Sequence, residues 1–459
     1  MIRRDKMVLR VGMVSLGCAK NQVDAERMLY RIEKAGHKLV ADAALSDIVI
    51  VNTCGFIMDA KQEAIDTILE FAELKKEGRI KRIIATGCLA QRYQDELLKE
   101  MPEIDAVVGL GSEDKICEII DAVSKGEQIS RYGSKTLLPL TGGRVRTTLP
   151  FYSYLKIAEG CSNNCAFCAI PKIRGGYRSV PMEELIAEAE TLARTGVREL
   201  VVIAQDTSMY GSDLYGKQAL PELLRKLCRI DGFKWIRVLY LYPERITDEL
   251  IDTIAEEDKI VKYIEMPIQH SSNEILTLMR RETSESQIRT LVKKLRHRIP
   301  GVILRTTVMT GFPGETEEHF SHLADFVHDI RFDRLGCFAF SAEEGTAAAE
   351  LAQSDMPAAN IDEDEKQRRA DIIMDEQLLI VNENNEHIIN TDIEVLVEGF
   401  DRYGECYFGR SAADAPDIDG KVFFTSKERK LVPGLFVTVH VTDVMDYDLV
   451  GEVVSVDGN

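Results

Sequence analysis

The stretch Cys161-Ser162-Asn163-Asn164-Cys165-Ala166-Phe167-Cys168 decides how the rest of the chain is read. Three thiols spaced Cys-x3-Cys-x2-Cys on one short loop can converge on one face of a metal cluster, and the small Ser162, Asn163 and Asn164 let the backbone wrap it. The count stops at three. A structural zinc site closes its tetrahedron with a fourth protein ligand, whereas a 4Fe-4S cluster held by three thiolates keeps one iron free for another molecule. The loop is therefore read as a three-thiolate cluster site. Half of a zinc site, or three small buried residues, are the alternatives.

The loop resembles the signature of radical S-adenosylmethionine (SAM) enzymes. The resemblance implies that SAM chelates the fourth iron through its amino and carboxylate groups and is cleaved by an electron from the cluster to a 5'-deoxyadenosyl radical. An unactivated C–H bond has no acidic proton for a side chain to take, so a cofactor supplies the hard step while the protein orients it. Phe167, beside the last thiol, either shields such a cluster and contacts adenine or is an ordinary core aromatic.

Outward from this loop, residues 152–158 read as the strand that delivers it. Five more strand candidates follow at 199–204, 235–241, 261–267, 302–310 and 334–340, each leading into a helix or loop. Six such units predict a partial, six-stranded parallel barrel whose active face is lined by the loops after the strands. Gln205-Asp206-Thr207, Gln269-His270-Ser271-Ser272 and Gly311-Phe312-Pro313-Gly314-Glu315 fall on those loops, and Arg305 inside the fifth strand could meet the SAM carboxylate as a fork-shaped donor. Helix caps, a Gly-Pro turn and a solvated arginine explain the same residues, so no catalytic side chain is named.

The N-terminal part repeats a simpler unit. Residues 7–15, 48–51 and 82–85 are apolar runs of strand length, each followed by a turn and a helical pattern, which predicts an α/β domain with a parallel sheet. Cys18, Cys54 and Cys88 each sit at the carboxyl end of a different strand, where ligands of such sheets gather. One alone would be a buried filler. Three in phase predict a second three-thiolate 4Fe-4S cluster. Cys117, Cys228, Cys337 and Cys406 stand apart and are read as structural.

Residues 126–150 carry Gly, Thr and Ser with little periodicity and read as a linker. Residues 361–390 are charged with an apolar stripe (Ile372, Leu378, Leu379, Val381), as expected of a bridging surface helix. Beyond them, short alternating strands with Gly and Pro turns predict a small five-stranded antiparallel β-barrel. The domain plan is thus an α/β domain over 1–125, the linker over 126–150, the barrel over 151–360, the bridging helix over 361–390 and the small barrel over 391–459.

Charge narrows the partners. The 459-residue chain has 57 Lys and Arg against 76 Asp and Glu, a formal net charge of -19, which disfavours a large nucleic-acid footprint and favours a basic partner. In 391–459 the count is 6 against 14, a difference of -8, and a barrel that grips phosphates should instead be basic. Arg3, Arg4 and Lys6 precede an apolar run that Arg10 interrupts, leaving it too short for a signal core, and no run reaches membrane-spanning length. With ten cysteines lacking a disulfide-scaffold spacing, a reducing, cytoplasmic location is expected.

The whole chain is similar to the methylthiotransferase family of radical SAM enzymes, which joins an N-terminal cluster domain, a radical SAM barrel and a C-terminal barrel of the TRAM type. The resemblance implies that Cys161, Cys165 and Cys168 hold the radical cluster, that Cys18, Cys54 and Cys88 hold the second cluster, and that SAM serves both radical generation and methylation. Residues 204–207 and 410–420 resemble the branch that modifies the β carbon of an aspartate in the twelfth protein of the small ribosomal subunit; the acidic C-terminal segment suits that basic target. The alternatives are a tRNA adenosine methylthiotransferase and a non-catalytic metal-stabilised scaffold. The electron donor and sulfur source are not encoded in any motif.

Cys161→Ala, Cys165→Ala and Cys168→Ala are expected to abolish SAM cleavage, assayed as 5'-deoxyadenosine release from anaerobic protein with a reductant. Alanine at Cys18, Cys54 or Cys88 should leave cleavage in place and stop methylthio transfer. A scaffold would show no cleavage in any form.

Overall fold

The computed structural model describes residues 8–55, 57–137, 140–427 and 430–456. Arg3, Arg4, Lys6 and Met7, two residues of the expected linker (138 and 139), and residues 428–429 and 457–459 of the expected small barrel lie outside the described residues.

Ile48-Val49-Ile50-Val51 is apolar throughout because its strand is covered on both faces. Six parallel strands, β1 (Arg10–Ser15), β2 (Lys38–Leu39), β3 (Ile48–Thr53), β4 (Arg82–Gly87), β5 (Ala106–Val108) and β6 (Ile129–Arg131), pair in the order β2-β1-β3-β4-β5-β6. Val49 and Val51 pack with Ala64 and Ile68 of helix Met58–Lys76, whereas Ile48 and Ile50 pack with Met28 and Ile32 of helix Ala19–Lys34. The strand order reverses between β1 and β3. Such a reversal opens a crevice beyond the carboxyl ends of the two strands; Cys18 follows β1 there and Cys54 follows β3.

The stretch read as a linker contributes β6. With three residues, two of them exposed, that strand has no apolar period to read. Further on, Arg144 donates to Glu26, Glu188 and the Tyr154 carbonyl, which ties the segment to both of its neighbours.

The next strands are β7 (Tyr152–Lys156), the short antiparallel pair β8 (Ala158–Glu159) and β9 (Arg178–Ser179), then β10 (Glu199–Ile203), β11 (Trp235–Val238), β12 (Tyr263–Glu265), β13 (Ile303–Thr310) and β14 (Arg334–Ala339). β7, β10 and β11 form one parallel ladder and β12, β13 and β14 another. The Ile236–Ile260 bridge joins them into an open arc of six strands in chain order, as expected. The β8–β9 pair closes the base of the Cys161–Cys168 loop. Leu155, Leu200, Val202, Ile236, Ile264 and Leu304 face the surrounding helices, while Tyr152, Tyr154, Val201, Trp235 and Tyr263 fill the lumen.

The bridging helix is Glu363–Glu386, but its buried face differs from the expected stripe. Val381 of that stripe is buried and Leu378 half-buried, but Ile372 and Leu379 are 37% and 60% exposed, and Ala370, Ile373, Gln377 and Ile380 join Val381 in the buried face. The latter recur at steps of three and four, so they share one helical face, and Gln377 donates to the Phe332 carbonyl there. Ile372 and Leu379 stand beside that face, two turns apart.

The last strands, β15 (Asp392–Asp401), β16 (Cys406–Ser411), β17 (Val422–Thr425), β18 (Phe436–Met445) and β19 (Asp448–Val456), close a barrel in the order β15-β16-β17-β19-β18. An odd number of strands cannot alternate direction all the way round, so one contact, β17 with β19, is parallel. The segment between β16 and β17 caps the amino-terminal end of the large barrel's lumen. Asp419 accepts from Tyr263 (2.6 Å) and Arg305 (3.2 Å), Asp414 from Arg334 (2.8 Å) and Asp417 from Tyr152 (3.0 Å). Fully buried Glu199 binds Arg237 (2.8 Å) and Arg410 (2.7 Å), one from each barrel. Among the described residues no helix is long and apolar enough to cross a membrane.

Glu199→Gln leaves two buried guanidiniums short of charge. The expected loss is about 3–5 kcal/mol, read as a lowered thermal midpoint, whereas the exposed Lys427–Glu452 pair should be removable with little change.

Candidate cluster sites and the joint between them

The loop after β8 holds its three sulfurs in a polar, hydrogen-bonded setting. The Asn163 amide donates to Cys161 Sγ and the Ile170 amide to Cys168 Sγ, both at 3.4 Å. Arg281 Nη1 donates to Cys165 Sγ at 3.7 Å and stacks on the Tyr242 ring, whose hydroxyl lies 3.9 Å from the same sulfur. Burial pushes the thiol of Cys161 up to about 11 and that of Cys168 up to about 12. Without a metal these thiols keep their protons; a bound cation reverses that logic.

The second trio is assembled by glycines. Gly17, at φ +87°, lies so close to Cys54 that a Cβ there would stand 2.7 Å from Cys54 Cβ and 2.8 Å from its Sγ. A Cβ on Gly55 would meet the Leu89 amide at 2.7 Å and the Cys88 carbonyl carbon at 3.0 Å. The loops after β1, β3 and β4 are therefore in contact, and only residues without a side chain permit it. Cys18 is the residue before helix Ala19–Lys34 and makes no side-chain capping hydrogen bond. Burial opposes its ionisation, yet Lys20 and Arg174 hold its pKa below the ordinary thiol value. Burial carries Cys88 the other way, to about 12.

The donor chemistry of both trios fits an iron–sulfur cube. A single zinc ion needs four ligands drawn to about 2.0–2.3 Å from one point. A cube presents separate irons to separate thiolates, which suits three thiols spread over a loop or over three loops, with amide N–H groups and buried arginine around the sulfur.

The two trios share a wall. Cys88 packs with Ala169, which follows Cys168, and with Ile173 of the short helix Ile170–Arg174 that Ala169 precedes. Arg174 ends that helix. Its guanidinium, 1% exposed, donates to Asp24 (2.9 Å) and Asn21 of the N-terminal domain and to Glu159 (2.9 Å) of the barrel. Lys156 pairs with the same two carboxylates. Burial opposes ionisation of Glu159, and Arg174 and Lys156 overcome it, holding that carboxyl far below its ordinary value.

The loop residues singled out from the sequence divide. Asp206 accepts from Asn163 (2.9 Å) and Arg245 (2.9 Å), and Gln205 donates to Glu159, so both brace the cysteine loop. Thr207 bonds the Leu239 and Tyr240 carbonyls. His270 accepts the Ser272 amide and lies 3.5 Å from Glu315, which Arg369 also binds; these are structural contacts. Arg305 does not face the cluster loop. Glu265 and Asp419 engage it, because the C-terminal barrel supplies a carboxylate that no local reading of β13 could reveal. Arg174, Arg281 and Tyr242 belong to no motif; the one local sign of Arg174 is that it stands, with Lys172, among the apolar residues after Cys168.

Family models match along the chain: Uncharacterized protein family UPF0004 over residues 10–109, the Radical SAM superfamily over 155–327 and the TRAM domain over 389–454. The ribosomal protein uS12 methylthiotransferase RimO of Thermoanaerobacter sp. (strain X514) is 48% identical, covering 96% of this chain and 99% of the relative. Its counterpart in Clostridioides difficile (strain 630) is 50% identical over 97% and 99%. Among solved structures, the radical SAM methyltransferase TsrM from Kitasatospora setae, with cobalamin and a [4Fe-4S] cluster bound, shares the fold at 16% identity, with a TM-score of 0.59 over 76% of this chain and 78% of that one. The chain is a radical SAM methylthiotransferase, a class that uses SAM and an iron–sulfur cluster. Within that class it belongs to the RimO family, the ribosomal protein uS12 methylthiotransferases.

Gly17→Ala is expected to push the Cys18 loop off Cys54. Anaerobic protein should then carry about half the iron and sulfide of the parent, with 5'-deoxyadenosine release retained.

Proposed function

We propose that the protein adds a methylthio group to the β carbon of an aspartate in ribosomal protein uS12, using two 4Fe-4S clusters and SAM. In this reading Cys161, Cys165 and Cys168 hold the radical cluster, and Cys18, Cys54 and Cys88 hold the second. When bound, the clusters and SAM supply the hydrogen-abstracting radical and the methylthio group. The protein's own residues do the placing. Asp206 and Asn163 brace the loop of the first trio, Arg281 puts a cation beside Cys165, and Gly17 and Gly55 let the second trio close.

The observation that carries this reading is the contact of Cys88 with Ala169 and Ile173. It sets the second cysteine trio against the short helix that begins just after the first, which supports the two acting as neighbours. The identity with RimO relatives over nearly the whole chain supports the uS12 target, as does the acidic C-terminal barrel opposite a basic ribosomal protein. The same charge argues against stable nucleic-acid binding. The protein works in the cytoplasm, where its substrate is made, with a reductant of the cell as electron donor.

Anaerobic protein with iron and sulfide for two cubes, incubated with SAM, dithionite and uS12, is expected to add one methylthio group to an aspartate, seen by intact-mass and fragment spectra. Transfer only to tRNA would replace this reading with the nucleic-acid one.

A further inference from the structure

Ten lysine and arginine residues are buried among those described, and nine of them have a carboxylate oxygen within 4.0 Å. Lys20 is the tenth. It is 7% exposed, and its ammonium rests on the face of Tyr240, 3.3 Å from the ring centroid. Glu265, the acidic residue of the adjoining strand β12, acts on it electrostatically but forms no direct ion pair with it. One Glu265 oxygen accepts from Arg305 and the other from the Tyr240 amide. Cys18 and Glu265 act on Lys20 from farther off, but a buried cation on an aromatic face with no carboxylate within 4.0 Å still has room for a direct anionic partner.

The platform is built rather than incidental. Tyr240 has φ +65°, which a tyrosine adopts only when its surroundings impose it. Here the Glu265 carboxylate holds its amide, and the amide and hydroxyl of Thr207 hold its carbonyl, each at 3.0 Å. The ring therefore lies at the carboxyl-end mouth of the large barrel, just past β11. Lys20 reaches it from the helix that Cys18 opens, so its charge stands where the second cysteine trio meets that mouth.

We propose that Lys20 receives the side-chain carboxylate of the aspartate that is modified. The inference rests on the uS12 reading above. That carboxylate is bonded directly to the β carbon, so one ion pair on the Tyr240 face fixes the reacting carbon within a bond length of an anchored group. It also sets specificity. A site that leaves a buried ammonium without a carboxylate rejects the isosteric asparagine, which offers shape without charge. The carboxylate of SAM is the other source of the same chemistry, and the charge of the second cluster is the other anion within reach.

The test uses the full chain with both clusters loaded under anaerobic conditions. Two basic uS12 loop peptides, one with the aspartate and one with asparagine in its place, are titrated by fluorescence anisotropy. SAM affinity and iron content are measured on the same samples. The parent should bind the aspartate peptide at least about tenfold more tightly. Lys20→Met should bind both peptides alike, at the parent's asparagine level, with SAM affinity unchanged, and Lys20→Arg should keep a preference. The ratio of affinities does not depend on the loaded fraction, and Lys20→Gln supplies the same reading should Lys20→Met fold poorly. An aspartate preference that persists in the neutral variants overturns the assignment, whether accompanied by weaker SAM binding, by loss of iron or by neither. Methylthio transfer to a peptide that the parent binds without preference overturns Lys20 alone; no transfer to any form of uS12 overturns the function as well.

Discussion

The buried guanidinium of Arg174 is the constraint on which the arrangement of the molecule depends. Removing an arginine and two carboxylates from water costs several kcal/mol per ion, which is repaid only when all the partners are in place with good geometry. Asp24 comes from the N-terminal domain, whereas Glu159 and Arg174 flank the cysteine loop of the barrel. Any sliding of the two domains would strand one charge in a dry interior. The joint is therefore stiff, and the cysteine sets on its two sides keep a constant spacing.

The opposite end of the barrel is closed by a second charged joint. Asp414, Asp417 and Asp419 belong to an acidic segment that reads from sequence as part of a repulsive surface, yet each bonds an arginine or tyrosine of the large barrel. They close the lumen instead of meeting a partner. Of the other exposed acids, Asp392, Glu394 and Glu452 pair with His440, Lys234 and Lys427, and Glu405, Asp443 and Asp446 carry the acidity available for recognition. The small barrel thus spends some of its acid on docking and still presents a surface suited to a basic protein.

Several features were readable because local physics decides them. Ile48-Val49-Ile50-Val51 can only be a strand buried on both faces, and a helix after each such strand leaves the parallel sheet as the consistent outcome. The Cys-x3-Cys-x2-Cys loop carries its chemistry within a single turn of chain. Other features escaped because their causes are distant. Arg305 looked available for a cofactor until Asp419 of another domain reached it. β6 is invisible in composition, since the edge of a sheet that is already formed supplies its reason to be extended. Ile372 and Leu379 suggested the wrong face of the bridging helix, because any apolar pair two turns apart makes a stripe and only the partner surface says which stripe is covered.

By itself the sequence determined an α/β part, a barrel and a small β part, most of their strands and helices, and two sets of three thiols, since strand and helix periodicity and short ligand spacing are properties of neighbouring residues. Tertiary structure alone decided that the two sets share a wall, that Arg174 bridges them, and that Lys20 lies buried on Tyr240 without a carboxylate. Those facts depend on which charges are dehydrated together, and dehydration is set by the packing of segments far apart in the chain.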